Sequence, residues 1–186
     1  MRDFAFYRGI TAPSHLQQIY NRAAAGWERG INALGYPEAY RDLCQQALQQ
    51  QPARHPERVL DAGCGSGAMP AALLHHTPLE PALHLLDLAP EMLQLAAACL
   101  PIATRLHQGA VGGDPLHDEP PFERILCAHV IEHCPTPLPP LRWLFDHLAP
   151  GGQLVLAVSR PHWCTALIRW RWGNAAYRPQ AICRLL

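Results

Sequence analysis

The stretch Val59-Leu60-Asp61-Ala62-Gly63-Cys64-Gly65-Ser66-Gly67 decides the fold of this chain. An apolar run of strand length ends in a turn of small residues, and a helical pattern over 68–76 follows at once. The glycines let the backbone approach a ligand closely, and the first amides of the helix can hold an anionic group. Asp61 stands at the strand end, placed to receive hydrogen bonds from turn amides or from a ligand amine. Twenty residues after Gly67, Asp87 closes the next apolar run, Leu83-His84-Leu85-Leu86-Asp87. A carboxylate there suits acceptance from two ribose hydroxyls.

The same alternation continues outward. Runs at 58–62, 82–87, 104–108, 123–129 and 153–158 read as buried strands. Helical patterns at 68–76, 90–100 and around 138–148 lie between them, with a proline-rich loop after 108. Five such runs predict a mostly parallel, doubly wound α/β sheet with helices on both faces, whose ligands sit beyond the carboxyl ends of the strands. Upstream, 13–30 and 37–50 read as helices, with Gly30 as a stop, and Gln51 to Pro56 forms a polar connection. The expected organisation is one domain in three parts. Residues 1–56 form a helical cap or lid, 57–158 the cofactor-binding α/β core, and 159–186 a basic, Trp-rich segment.

Composition bounds the function. With 186 residues, 20.6 kDa and 49% hydrophobic content, the chain suits one domain with a sizeable core. A fold of this mass hides roughly 70% of the surface of its extended chain. Fifteen cations, all arginine, balance fifteen acids, which argues against a general nucleic-acid binder. The seven cysteines are odd in number and form no C-x-x-C pair. Most lie in apolar runs, where a reduced cysteine packs as a small hydrophobe, so a cytoplasmic location is expected. The first residues lack an apolar leader and no run approaches 18 apolar residues, so neither a signal peptide nor a transmembrane segment is expected.

Two cofactor classes use this glycine geometry. Read as G-x-G-x-x-A through Gly63, Gly65 and Ala68, the turn satisfies the loose dinucleotide fingerprint. Read as D-x-G-x-G-x-G from Asp61, it resembles motif I of class I S-adenosylmethionine-dependent methyltransferases. Asp61 discriminates. A carboxylate two residues before the first glycine is a poor neighbour for a pyrophosphate, yet suits the ammonium and sulfonium of S-adenosylmethionine.

From Arg58 to about Ser159 the chain is similar to the small-molecule branch of that superfamily (methyltransferase type 11), which includes ubiquinone and menaquinone biosynthesis enzymes. Asp87-Leu88-Ala89-Pro90-Glu91-Met92-Leu93 resembles the family's D-x-S-P-x-M-L segment, and Phe122-Glu123-Arg124-Ile125 its F-D-x-V. Ala128-His129-Val130-Ile131-Glu132-His133 is similar to S-x-V-L-E-H, and Leu148-Ala149-Pro150-Gly151-Gly152 to L-K-P-G-G. Tyr20-Asn21-Arg22-Ala23-Ala24 resembles the lid helix over the cofactor. The resemblance implies a Rossmann-like methyltransferase fold, S-adenosylmethionine as cofactor, and a small-molecule acceptor, apolar or quinone-like. The implied cofactor-binding residues are Tyr20, Asp61, Ala62, Gly63, Gly65, Asp87, Leu88, Met92, Ala110, Val111, Ala128 and His129. Gly63 and Gly65 would meet the methionine end, Asp61 its ammonium, and Asp87 the ribose. Val111 and Met92 would flank the adenine. No catalytic group is assigned, with His129 the candidate general base.

Two departures stand out. After the third strand the family has G-D-A, whereas Gln108-Gly109-Ala110 places alanine in the acid's slot, and Asp114 substitutes only if the loop folds back. The last one or two strands of the family fold are expected to be missing, and a homodimer covering the strand-five edge is the partner this suggests. His129-Val130-Ile131-Glu132-His133 also spells H-x-x-E-H, but no metal is expected, because the prolines after Cys134 leave no room for the helix that zinc binding needs. His133 is expected to pack or cap a loop. In 159–186, Trp163, Ala166, Leu167 and Trp170 share a helical face, read as packing on the sheet, with an acceptor mouth as the rival reading. Two other function classes remain open: a nucleotide-dependent oxidoreductase and a catalytically silent binding relative.

Overall fold

The computed structural model describes residues 13–134, 136–159 and 177–186. Helices α1 (Pro13–Ala33) and α2 (Tyr36–Gln50) lead into β1 (Arg58–Ala62), α3 (Ala68–His75), β2 (Ala82–Asp87), α4 (Pro90–Cys99) and β3 (Thr104–Gln108). Then follow β4 (Phe122–Ala128), a 3-10 turn (Ile131–His133), α5 (Leu138–Asp146), β5 (Leu148–Ala157) and α6 (Pro179–Cys183). The five strands form one parallel sheet in the order β3-β2-β1-β4-β5. The chain steps outward from β1 to β3 and then returns to the other side of β1, so the order reverses between β1 and β4. Above that reversal the carboxyl ends splay and open a crevice.

Period-2 alternation sorts the sheet into two cores. Val59, Leu83, Leu85, Leu126 and Val155 pack against Cys44 and Ala47 of α2 and against α3 and α4. Leu60, Ala62, Leu86, Ile125 and Cys127 face the opposite way, against Leu141 and Leu144 of α5, Ile182 of α6 and the loop residues Val111 and Leu116. Cys44, Cys64 and Cys127 are buried free thiols in these layers.

The strands stand where the apolar runs put them, with two adjustments. TRLHQ, expected to be buried, is an edge strand whose Arg105, Leu106 and Gln108 are exposed. β5 begins at Leu148 rather than 153, because Leu148 pairs with Phe122 before a register shift, and Gly151 (φ 73°) takes up the irregularity. β5 is the last strand of the described sheet. The Trp-rich stretch 160–176, with the face expected around Trp163 and Trp170, lies outside the described residues.

α1 does not stop at Gly30. It runs on to Ala33 and turns at Gly35, whose φ of 74° suits glycine and whose amide donates to the Asn32 carbonyl at 3.1 Å. Gly30 therefore sits inside a helix, and a methyl group added there meets nothing within 4 Å. Gly30→Ala is expected to stabilise the chain by about 0.5–1 kcal/mol, read as a higher urea midpoint with unchanged slope.

At the amino ends of the strands, Arg124 of β4 is fully buried yet satisfied. Its Nε lies 3.2 Å from Glu57 Oε1, its Nη2 donates to the Gln51 carbonyl at 2.9 Å, and its Nη1 donates to Gln153 Oε1. Gln153 in turn donates to the Ala47 carbonyl at 3.0 Å, so one guanidinium ties the end of α2 to β4 and β5.

Candidate functional site

The glycine turn is shaped by its own backbone. The amides of Gly63 and Cys64 both donate to the Leu86 carbonyl, at 2.7 and 3.0 Å, which pins the turn to β2. Gly63 holds φ 81°, and a Cβ there would lie 2.2 Å from a Val130 methyl, so only glycine fits. Gly65, at φ 51°, donates its amide to Asp87 Oδ2 at 2.9 Å, while Asp87 Oδ1 accepts from the Ala89 amide at 2.9 Å. Asp87 thus braces the turn and the start of α4, and each oxygen keeps a second lone pair. Burial pushes its carboxyl up, against the backbone hydrogen bonds that lower it.

Asp61 lies beside it, 1% exposed, with Oδ2 buried and without a hydrogen-bond partner. Burial, and next the Asp87 charge, push its carboxyl well above the usual range. A buried acceptor left unmatched beside a second carboxylate favours a cationic ligand and repels a diphosphate. The donor set fits an ammonium or sulfonium group.

A raised acid pKa means the folded chain holds a proton that the unfolded chain releases, so stability falls as pH rises above the unfolded value near ~3.9. Asp61→Asn removes that penalty. The ligand-free variant is expected to melt above wild type at pH 7–8, with the gap closing toward pH 4 on a calorimetric scan. It is also expected to bind a cationic ligand roughly tenfold or more weakly, the loss of one charged hydrogen bond.

A cavity of about 570 Å³ opens over the turn, within the range of small-molecule sites. Asp61, Gly63, Gly65, Asp87, Leu88, Ala110, Val111, Ala128, His129 and Tyr20 all line it. Two of the expected residues do not. Ala62 follows Asp61 by one residue, so strand alternation turns it into the opposite core. Met92 is fully buried and away from the cavity wall. Asp114 is exposed and absent from the wall, so it does not fill the slot that Ala110 leaves.

The wall opposite the turn comes from α1 and α2. Tyr20 Oη and His133 Nε2 are 2.8 Å apart, which ties α1 to the 3-10 turn. Burial, more than the Glu132 carboxylate opposes, lowers His133 to about 4, so its ring is neutral at pH 7. The Trp27 indole nitrogen lies 3.6 Å from where a Gly65 Cβ would stand. Tyr36 and Tyr40 stack at 5.8 Å and flank the His129 ring at 5.0 and 6.3 Å. Trp27, Tyr36 and Tyr40 were not among the expected site residues. Their signal was the four-residue spacing of Tyr36 and Tyr40 on an amphipathic helix.

His129 follows β4 with φ 57°, the one described non-glycine residue in the left-handed region. Such a conformation costs about 1–3 kcal/mol and gathers at functional sites. Its Nδ1 is 3.2 Å from Glu132 Oε1 and 3.1 Å from Ser159 Oγ. Glu132 is fully buried, and its Oε1 also accepts the Ser159 amide at 2.6 Å. Burial raises this carboxyl, but hydrogen bonding and charge from His129, with the Ser159 amide, outweigh it and hold the group below its usual value. His129 and His133 take different partners, so H-x-x-E-H does not place two histidines on one helical face.

Fold and site define a doubly wound α/β protein with a cofactor crevice at its switch point. Residues 35–185 match the methyltransferase-domain family, and the chain belongs to that family. It is 33% identical over 103 residues to a ubiquinone biosynthesis O-methyltransferase of Xanthomonas campestris, covering 54% of this chain and 42% of that one. The chain thus spans less than half the length of the curated relatives it matches. Among solved structures it resembles magnesium protoporphyrin IX methyltransferase from Synechocystis with bound S-adenosylhomocysteine (TM-score 0.69, 14% identity, 92% of this chain, 86% of that one). It also resembles an S-adenosylmethionine-dependent methyltransferase of Thermotoga maritima (TM-score 0.67, 18% identity, 92% and 78%). No helix among the described residues is long and apolar enough to cross a membrane.

Proposed function

We propose that the chain is an S-adenosylmethionine-dependent methyltransferase acting on a small molecule. The observation that carries this reading is Asp61, a buried carboxylate with an unmatched oxygen beside the glycine turn and Asp87. The family match supports it. When bound, the cofactor supplies an already activated sulfonium methyl, so the protein's part is to orient, desolvate and remove a proton. Asp61 would hold the ammonium, with the Gly63 and Gly65 backbone against the methionine end. Asp87 would accept the ribose hydroxyls on its remaining lone pairs. Leu88, Ala110 and Val111 would flank the adenine. His129, oriented by buried Glu132 and by Ser159, is the group we assign as general base toward an acceptor hydroxyl. Leu16, Ile31, Leu34 and Tyr36 line the rest of the cavity, which suits an aromatic or quinol-like acceptor.

A cap over 1–56, of which 1–12 lie outside the described residues, a cytoplasmic location supported by the buried thiols, and a homodimer along β5 belong to the same proposal. The experiment is transfer of a labelled methyl group from S-adenosylmethionine to a panel of polyhydroxylated aromatics with and without apolar tails. Turnover that falls 10²- to 10⁴-fold in His129→Ala, with cofactor affinity kept, is expected for a lost general base. Cofactor binding with no transfer to any member would leave a silent binding protein and refute catalysis.

A further inference from the structure

A second cluster of chemistry lies away from the crevice. β2 carries His84 in the middle of an otherwise apolar buried run, and β3 carries His107 alongside. Glu119 reaches the pair from the loop before β4. Among the described residues this is the group whose histidine and carboxylate donors all lie within 4.8 Å of one another. His84 Nδ1 and His107 Nε2 are 3.0 Å apart. Glu119 Oε2 is 3.8 Å from the first, and its Oε1 is 4.0 Å from the second. Donors bound at about 2.0–2.2 Å to one ion stand roughly 3.3–3.6 Å apart, so the Glu119 carboxylate has to move toward the two rings to complete the set. The side chains are 4%, 10% and 12% exposed.

The surroundings orient these donors. The rings of His84 and His107 stack at 5.2 Å and 6°, and Phe122 meets His84 edge-on at 5.0 Å. His84 Nδ1 and His107 Nε2 share one hydrogen bond, so an ion that takes both lone pairs displaces the proton between them. Arg58 and Arg105 donate to the two Glu119 oxygens at 2.8 and 2.9 Å. Each oxygen retains a second lone pair, so the guanidinium groups orient the carboxylate without consuming it. Their charge opposes a cation, yet Arg105 is 65% exposed and screened by solvent.

We propose that His84, His107 and Glu119 form a divalent transition-metal site, with zinc an ion that two imidazoles and one carboxylate accept and water completing the tetrahedron. The ion would clamp β2 and β3 to the loop of residues 109–121, whose first residues, Gly109 to Val111, line the cofactor cavity. None of the three ligands lines that cavity, so the site stands apart from the methyltransferase reading and does not rest on it.

The test uses the full chain, stripped with a chelator and titrated with zinc chloride against a chromophoric indicator. One equivalent per chain is expected, weakened at least tenfold in both His107→Gln and Glu119→Gln and unchanged in Cys99→Ser, with circular dichroism verifying each fold. Cobalt(II) loading of the wild type gives a reading independent of the variants. Visible tetrahedral bands without a sulfur charge-transfer band would support nitrogen and oxygen ligation. A thiolate band, no saturable equivalent in the folded wild type, or wild-type affinity in either ligand variant would each overturn the site.

Discussion

Asp87→Ala is expected to weaken S-adenosylmethionine binding at least 100-fold in a calorimetric titration. The carboxylate accepts the Gly65 and Ala89 amides at 2.9 Å each, so alanine orphans two N–H groups at once. Leaving one such group unmatched in a buried place costs about 1–3 kcal/mol. Gly65 lines the cavity, and the turn it belongs to would loosen together with the start of α4. The acceptor proposed for the ribose hydroxyls disappears as well. Asp87→Asn keeps one carbonyl oxygen and turns an amide donor toward a backbone N–H, so it is expected to fall between alanine and wild type. Unchanged affinity in Asp87→Ala would remove this residue from the site.

Arg124→Ala is expected to lose about 3–5 kcal/mol of stability, the usual effect of breaking a fully buried ion pair from one side. Glu57, 5% exposed, would keep a charge with no cation against it, and the Gln51 carbonyl and the Gln153 side chain would lose their donor. Against a typical total of about 5–15 kcal/mol that is a fifth of the stability or more. Arg124→Met combined with Glu57→Leu is expected to recover the part of the loss due to the unpaired charge, because an apolar pair needs no counter-charge, while the Gln51 carbonyl and Gln153 stay without their donor. Urea unfolding reads both. The network lies at the amino ends of the strands, away from the crevice, so cofactor affinity in the folded fraction should stay within twofold.

The parallel sheet and the crevice at its carboxyl ends were legible because buried strands write themselves as apolar runs, and because Gly63 and Gly65 bracket a turn that few other residues tolerate. Asp61 and Asp87 were legible for the same reason, since a carboxylate closing an apolar strand has no packing purpose. What stayed hidden depended on direction and distance. Ala62 and Met92 belong to the right motifs, yet one faces the opposite core and the other is buried away from the cavity. Thr104–Gln108 carries one apolar residue, Leu106, and that polarity is the local mark of the edge strand that β3 is. Trp27, Tyr36 and Tyr40 reach the cavity only because α1 and α2 fold back across it. The Arg124 network joins residues 51, 57, 124 and 153, and sequence spacing carries no trace of such a meeting.

Titration of the purified chain with S-adenosylmethionine and, separately, with NADH probes the crevice most directly. One equivalent of the sulfonium compound should bind, more tightly as pH rises and Asp61 ionises, with no saturable NADH heat. Tight NADH binding with none of the sulfonium compound would contradict a crevice built for positive charge.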